Sequence, residues 1–324
     1  MPNIITRFTS SLRYSRVVTR SVCLDPELDV ACSLVRAGDL AAGRQLLAQT
    51  RDDAELRCLR VSEVSDAAVD RVDELASLSE SSPDDPDLAV WLGTTRIRQG
   101  WRVRGASRAQ YVSREQFEQF WQILGDAREP LMRAAELLPG DPVPWDSLQW
   151  LGLGLESDRA ELDDVWVQLC RRTPNLYAGN YSRGQVLCEK WLGSNGEVLE
   201  FADSLADRVP VGDPMTALVV AAHLEAASEA DWPLASYFQS PAIRDHLVAL
   251  ADRWAADETA HIRTPEAHHL FGAGLFLAGE HDRARRHLAQ VDGKVMPERL
   301  PWVYPLNYCP GYDYLSVRKQ LRLS

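Results

Sequence analysis

The stretch PEAHHLFGAGLFLAGEHDRARRHLAQV, Pro265 to Val291, decides how the rest of the chain reads. It holds four histidines, His268, His269, His281 and His287, a set that could ligate a metal or relay protons. Apolar and small residues fall at Phe271, Gly272, Leu275 and Phe276, then after Gly279 at Ala284, Leu288 and Val291, which is the helical period broken once. Two short helices and a turn are expected. Gly279 suits the left-handed conformation that ends a helix, and Glu280 and Asp282 stand where the next helix's amide dipoles favour anions. Adjacent His268 and His269 point about 100° apart on a helix, and no two histidines of the stretch are spaced to share one face. They are read as packing or surface residues, and no metal is expected.

The hairpin resembles the tetratricopeptide pattern without a gap. Gly272 takes the small position where the helices cross, Gly279 the turn and Ala284 the second small position, with His268 at a tryptophan position and His281 and His287 at tyrosine positions. A second copy, LVRAGDLAAGRQLLAQT from Leu34, matches LFLAGEHDRARRHLAQV from Leu275 at seven of seventeen positions, turn glycine included. Between them Pro142, Pro174 and Pro210 punctuate further hairpins at intervals of 32 and 36 residues. Such units bury their faces only by stacking. No segment alternates long enough for a sheet. The expected fold is all-α, with tetratricopeptide-like hairpins stacked into a right-handed solenoid over 25–300, after a leader at 1–24 and before an irregular Tyr/Pro-rich cap at 301–324.

Composition is consistent with this. At 324 residues, 45% hydrophobic and 25% charged, the chain suits two domains or one elongated array. A formal charge of -12 argues against general nucleic-acid binding. Six cysteines with no C-x-x-C pair remove the common zinc and redox spacings and read as reduced thiols. The longest apolar run, MTALVVAAHLEAA from Met215, is too short to span a bilayer and is expected to be a buried helix. Residues 1–24 carry four arginines and no acid, a composition shared by transit peptides, disordered leaders and overlong start choices. Arginine outnumbers lysine 32 to 3, which suggests a GC-rich bacterial genome and argues against organelle targeting; a cytoplasmic location is expected.

From Asp87 to Ala206 the chain also resembles an uncharacterised family of bacterial helical-repeat proteins, through RGASRAQYVSREQFEQF from Arg104, AAELLPGDPVPW from Ala134, Tyr177 and Tyr181, and EKWLGSNGEVLEFA from Glu189. The resemblance implies tetratricopeptide-like helices and supplies no activity or catalytic residue.

Two regions depart from a plain repeat. An insertion near 102–115 delays a partner helix, REQFEQFWQILGDAREPLMRAAELL from Arg114, which is expected to be one unusually long element. From Thr94 to Arg114 there are six arginines and no acid, with Trp101 and Tyr111 interleaved. Arg98, Trp101, Arg102, Arg104 and Tyr111 therefore form a candidate site, since guanidinium forks grip carboxylate or phosphate and stack on flat groups. The alternative is internal neutralisation by Asp52 to Asp87, which carries twelve acids against three arginines. A second candidate set is Tyr177, Asn180, Tyr181, Lys190 and Trp191, a groove wall or inter-repeat packing.

No phosphate loop, H-E-x-x-H or G-x-S-x-G is present, and GLGLES from Gly152 lacks the strand a dinucleotide fingerprint needs. The expected function is a helical-repeat binding or scaffold protein that holds a protein, peptide or carrier partner on its concave surface. The alternative is a tailoring or hydrolytic enzyme holding an anionic small molecule through Arg102, Arg104, Tyr111, Tyr181 or Lys190. No cofactor, nucleic acid or membrane is expected to take part.

Overall fold

The computed structural model describes residues 25–105, 112–229, 233–291, 301–302 and 313–323, and among these every regular element is helical, with no strand. Two compact units result, one spanning Asp25–Val186 and the other beginning at Leu187. The leader, Tyr111 with the rest of the insertion at 106–111, and residues 303–312 and 324 of the tail lie outside the described residues.

The N-terminal unit contains α1 (Pro26–Arg36), α2 (Leu40–Ala48), α3 (Ala54–Ala68), α4 (Val72–Glu80), α5 (Pro86–Arg104), α6 (Arg114–Gly125), α7 (Arg128–Leu137), α8 (Val143–Gly154), α9 (Arg159–Arg172) and α10 (Tyr177–Val186). Aspartate side chains open many of these helices. Asp25, Asp39, Asp53, Asp85 and Asp158 each accept from an amide of the first turn that would otherwise lack a partner. Ser113 and Gln116 close a reciprocal capping box on α6.

Five helices form a row in which α1 packs on α3, α3 on α5, α5 on α8 and α8 on α10. Between them α2 returns against α1, α4 against α5, α7 against α5 and α9 against α8. Glycine sets the crossings. A Cβ on Gly93 of α5 would stand 2.6 Å from Cγ of Leu131 on α7, and one on Gly152 of α8 would stand 2.5 Å from Cδ2 of Leu162 on α9. A buried ion cluster joins three hairpins: Arg57 of α3 donates to Asp87 at the start of α5 (2.8 Å) and to Asp141 just before α8 (2.6 Å), all three side chains being buried. Asp146 of α8 accepts from Ser182 of α10 at 2.6 Å, and Gln149 donates to the same hydroxyl at 2.8 Å.

The segment expected as one long helix from Arg114 is two, α6 and α7. Gly125 ends the first, and Pro130, in the first turn of the second, has no N–H with which to continue a hydrogen-bond ladder.

The C-terminal unit holds α11 (Asn195–Arg208), a 3-10 turn (Pro214–Ala217), α12 (Leu218–Glu229), α13 (Leu234–Phe238), α14 (Pro241–Ala255), α15 (Thr264–Leu277), α16 (His281–Ala289) and α17 (Tyr314–Gln320). All of Ala267–Leu277 is buried, because α12, α13, α14, the 3-10 turn and α16 each pack on α15. The apolar run from Met215 forms the 3-10 turn and most of α12. Within the tail, α17 is helical, and its Tyr314 is buried and donates to the Val291 carbonyl.

The α15–α16 turn forms as its glycine suggests. Gly279 has φ +83° and the Glu280 N–H returns to the Leu275 carbonyl at 2.8 Å. Gly38, at φ +102°, repeats this between α1 and α2, with the Asp39 N–H on the Leu34 carbonyl at 2.9 Å. A third copy ends α8, where Ser157 donates to Gly152 at 2.9 Å and Glu156 occupies the left-handed position at φ 57°. GLGLES is thus a helix end.

Candidate partner-binding surfaces

The arginines of α5 lie along its C-terminal half and lean toward acids on neighbouring helices. Arg98 donates to Ser62 of α3 at 2.7 Å and lies 3.5 Å from Asp66. Arg102 pairs with Asp70, whose carboxyl the guanidinium holds below the usual carboxylate range, and both side chains are exposed. Arg96 reaches Asp126 at 4.0 Å, and Arg114 reaches Glu118 at 2.8 Å. Asp66 and Asp70 belong to the acidic segment, so part of the cluster's charge is balanced within the unit.

Arg104 is placed differently. Its guanidinium stands over Trp101 at 5.5 Å and over Phe117 of α6 at 6.0 Å, while Nη1 donates to the Gly105 carbonyl at 3.0 Å. Burial pushes its pKa down. Trp101 meets Phe120 edge-on at 5.1 Å, and Phe117 pairs with Trp121 at 5.4 Å. Trp121 is 41% exposed, so a ledge of rings with a guanidinium between them reaches the surface. Such a ledge can take flat or apolar side chains by stacking and cation–π attraction. Phe117 and Trp121 were legible as aromatics one helical turn apart in REQFEQFWQ and were not singled out.

The second candidate set is divided by the boundary between units, with Tyr177, Asn180 and Tyr181 before it and Lys190 and Trp191 after it. The Tyr177 N–H donates to Glu55 at 2.6 Å, and its side chain is buried. Asn180 is also buried and bonds the Pro174 and Leu176 carbonyls, both at 2.9 Å, which ties the start of α10 together. Tyr181 lies 6.2 Å from Trp150, ring to ring. Lys190 bonds the buried carboxylate of Glu225 on α12 at 2.6 Å.

The histidines of the opening stretch pack on aromatic rings. His268 meets Trp254 edge-on at 4.9 Å, His287 stacks on Trp254 at 5.7 Å, and His281 stacks on Phe276 at 5.0 Å. Among the described residues no group of three or more His, Cys, Asp or Glu side chains is gathered to hold a metal ion. None of the helices described is long and apolar enough to cross a membrane.

No protein-family model, curated protein or solved structure matches the chain.

Proposed function

We propose that the chain is a helical-repeat binding or scaffold protein of the bacterial cytoplasm, built from tetratricopeptide-like hairpins stacked into a right-handed solenoid, that holds a protein or peptide partner. The observation that carries this reading is the succession α1, α3, α5, α8, α10, each packed on the next, with α2 returned against α1, α4 and α7 against α5, and α9 against α8. Continuous rows of this kind present extended surfaces to partners. The ledge of Trp101, Arg104, Phe117 and Trp121 is the part of that surface assigned to contact, because large rings and a guanidinium supply much contact area at low entropic cost.

The test is affinity capture from native lysate with the unaltered chain and with Phe117→Ala/Trp121→Ala. A partner retained by the first and lost by the second, with unchanged far-ultraviolet circular dichroism, supports the reading. Equal retention by both removes the ledge from it. Turnover of a small anionic metabolite with no retained partner would replace it with the enzymatic alternative.

A further inference from the structure

All seven histidines of the chain lie beyond residue 187, and the N-terminal unit has none. Histidine is the side chain whose ordinary pKa falls between about pH 5 and 8. In the C-terminal unit four of the seven are arranged in two similar series, each running from a carboxylate through an outer imidazole to an inner one.

In the first, Glu258 lies 3.5 Å from His268 Nε2, and His268 Nδ1 faces His287 Nδ1 at 3.2 Å. His287 is buried between Trp254 of α14 and Phe271 of α15. In the second, Asp203 of α11 lies 3.3 Å from His246 Nε2 on α14, and the His246 ring faces that of His223 on α12 at 6.4 Å. Nδ1 of buried His223 shares a 2.8 Å hydrogen bond with the Tyr237 hydroxyl of α13.

We propose that the C-terminal unit is an acid-responsive module, in which protonation of the inner imidazoles His223 and His287 loosens α12 to α16 while the N-terminal unit keeps its fold. The geometry sets the direction. With two Nδ1 atoms 3.2 Å apart, one nitrogen can donate only if the other accepts, so a second proton leaves two donors facing each other inside an aromatic box. The charged groups near His287 are His268, Asp252 and Arg286, and Asp252 is already paired with Arg283. Those facing His223 are Tyr237 and His246, with Asp203 and Asp207 behind His246, while Glu225 on its own helix is held by Lys190.

Burial and the neighbouring imidazole push His223 and His287 down to about 4, and burial also lowers His268 against the pull of Glu258. Folded pKa values below the unfolded value of about 6.5 mean that the full contribution is present above that pH and is lost as pH falls from there toward about 4. In the N-terminal unit burial raises Asp141, against the opposing pull of Arg57 and the Val143 N–H. This inference is independent of the proposed partner binding.

Hydrogen exchange of the full chain at about pH 7.5 and 5.5, corrected for intrinsic rates, reads the effect in both units at once. One pH unit below about 6.5, each inner imidazole should lower protection in α12 to α16 about tenfold, with α3, α5 and α8 unchanged. His287→Phe and His223→Phe, which keep a ring in place, should remove that loss one step at a time. Titration of the histidine Cε1–H resonances in the unaltered chain should give two residues well below the ordinary range, and this does not depend on the variants folding. Ordinary titration of all seven, retained protection in α12 to α16, or equal loss in both units would each overturn the proposal.

Discussion

Gly272→Ala should destabilise the C-terminal unit, against the helix propensity of the two residues. In a helix interior alanine is favoured over glycine by about 1 kcal/mol. Here the added Cβ would stand 2.5 Å from both Cγ and Cδ2 of Leu288, which is fully buried on α16. Contact with Cγ cannot be relieved by turning a terminal methyl, so α15 and α16 must separate or Leu288 must leave its rotamer. Overpacking of this kind costs about 1–3 kcal/mol, and the severity of the approach puts the site near the upper end. The net expectation is a loss of about 2 kcal/mol, read as a lower urea midpoint at unchanged slope. Gly196→Ala in the same unit, whose Cβ would meet only Ser194 Oγ at 3.8 Å, should show no such loss. Leu288→Ala alone should cost about 2–5 kcal/mol, and the double variant should cost at least 1 kcal/mol less than the sum, because the alanine methyl enters space that leucine leaves. A midpoint at or above the parent for Gly272→Ala, or an additive double variant, would refute the assignment of glycine as the crossing determinant.

Glu156→Gly should raise the stability of the N-terminal unit by about 0.5–1 kcal/mol, since glycine accepts the left-handed backbone that Glu156 adopts at φ 57° without a side-chain penalty; an unchanged or lower urea midpoint would count against that turn. Arg57→Met should cost about 3–5 kcal/mol by leaving Asp141 buried without its cation, and adding Asp141→Asn should restore part of the loss in the same assay. Arg102→Gln should leave the melting temperature unchanged at low and at high salt, because its pairing with Asp70 lies in water; a salt-dependent drop would show the pair to be worth more than its exposure allows.

Much of the helical content was legible because local rules govern it. The hairpin at Pro265–Val291 needs only a periodic apolar stripe, a glycine free to take positive φ and an acid after it, and Leu34–Thr50 repeats the same signals. The turn at Glu156 escaped because its residue gives no sign of left-handed geometry. The break between α6 and α7 was overlooked although Pro130 marks it. The candidate sites were less legible, since their fate depends on side chains far away in sequence. Arg98 and Arg102 meet Asp66 and Asp70, each 32 residues earlier, and which of the twelve acids would face them follows from how α5 lies on α3. Asn180 looked like a groove residue, and bonds to backbone carbonyls occupy it. The histidines could be placed on rings from their register, but their facing one another across α15 and α16 is a tertiary fact.

Arg57 binds Asp87 and Asp141 at once, so one side chain on α3 is shared by the starts of α5 and α8. Opening α8 from the end of the unit strands half of that guanidinium's charge inside α3, two hairpins away, and the energetic penalty therefore appears before α3 itself moves. Stacked hairpins ordinarily fray one by one from their ends. The shared cation should suppress that, giving the amides of α3, α5 and α8 a common opening free energy and making this stretch exchange and unfold as a single kinetic block.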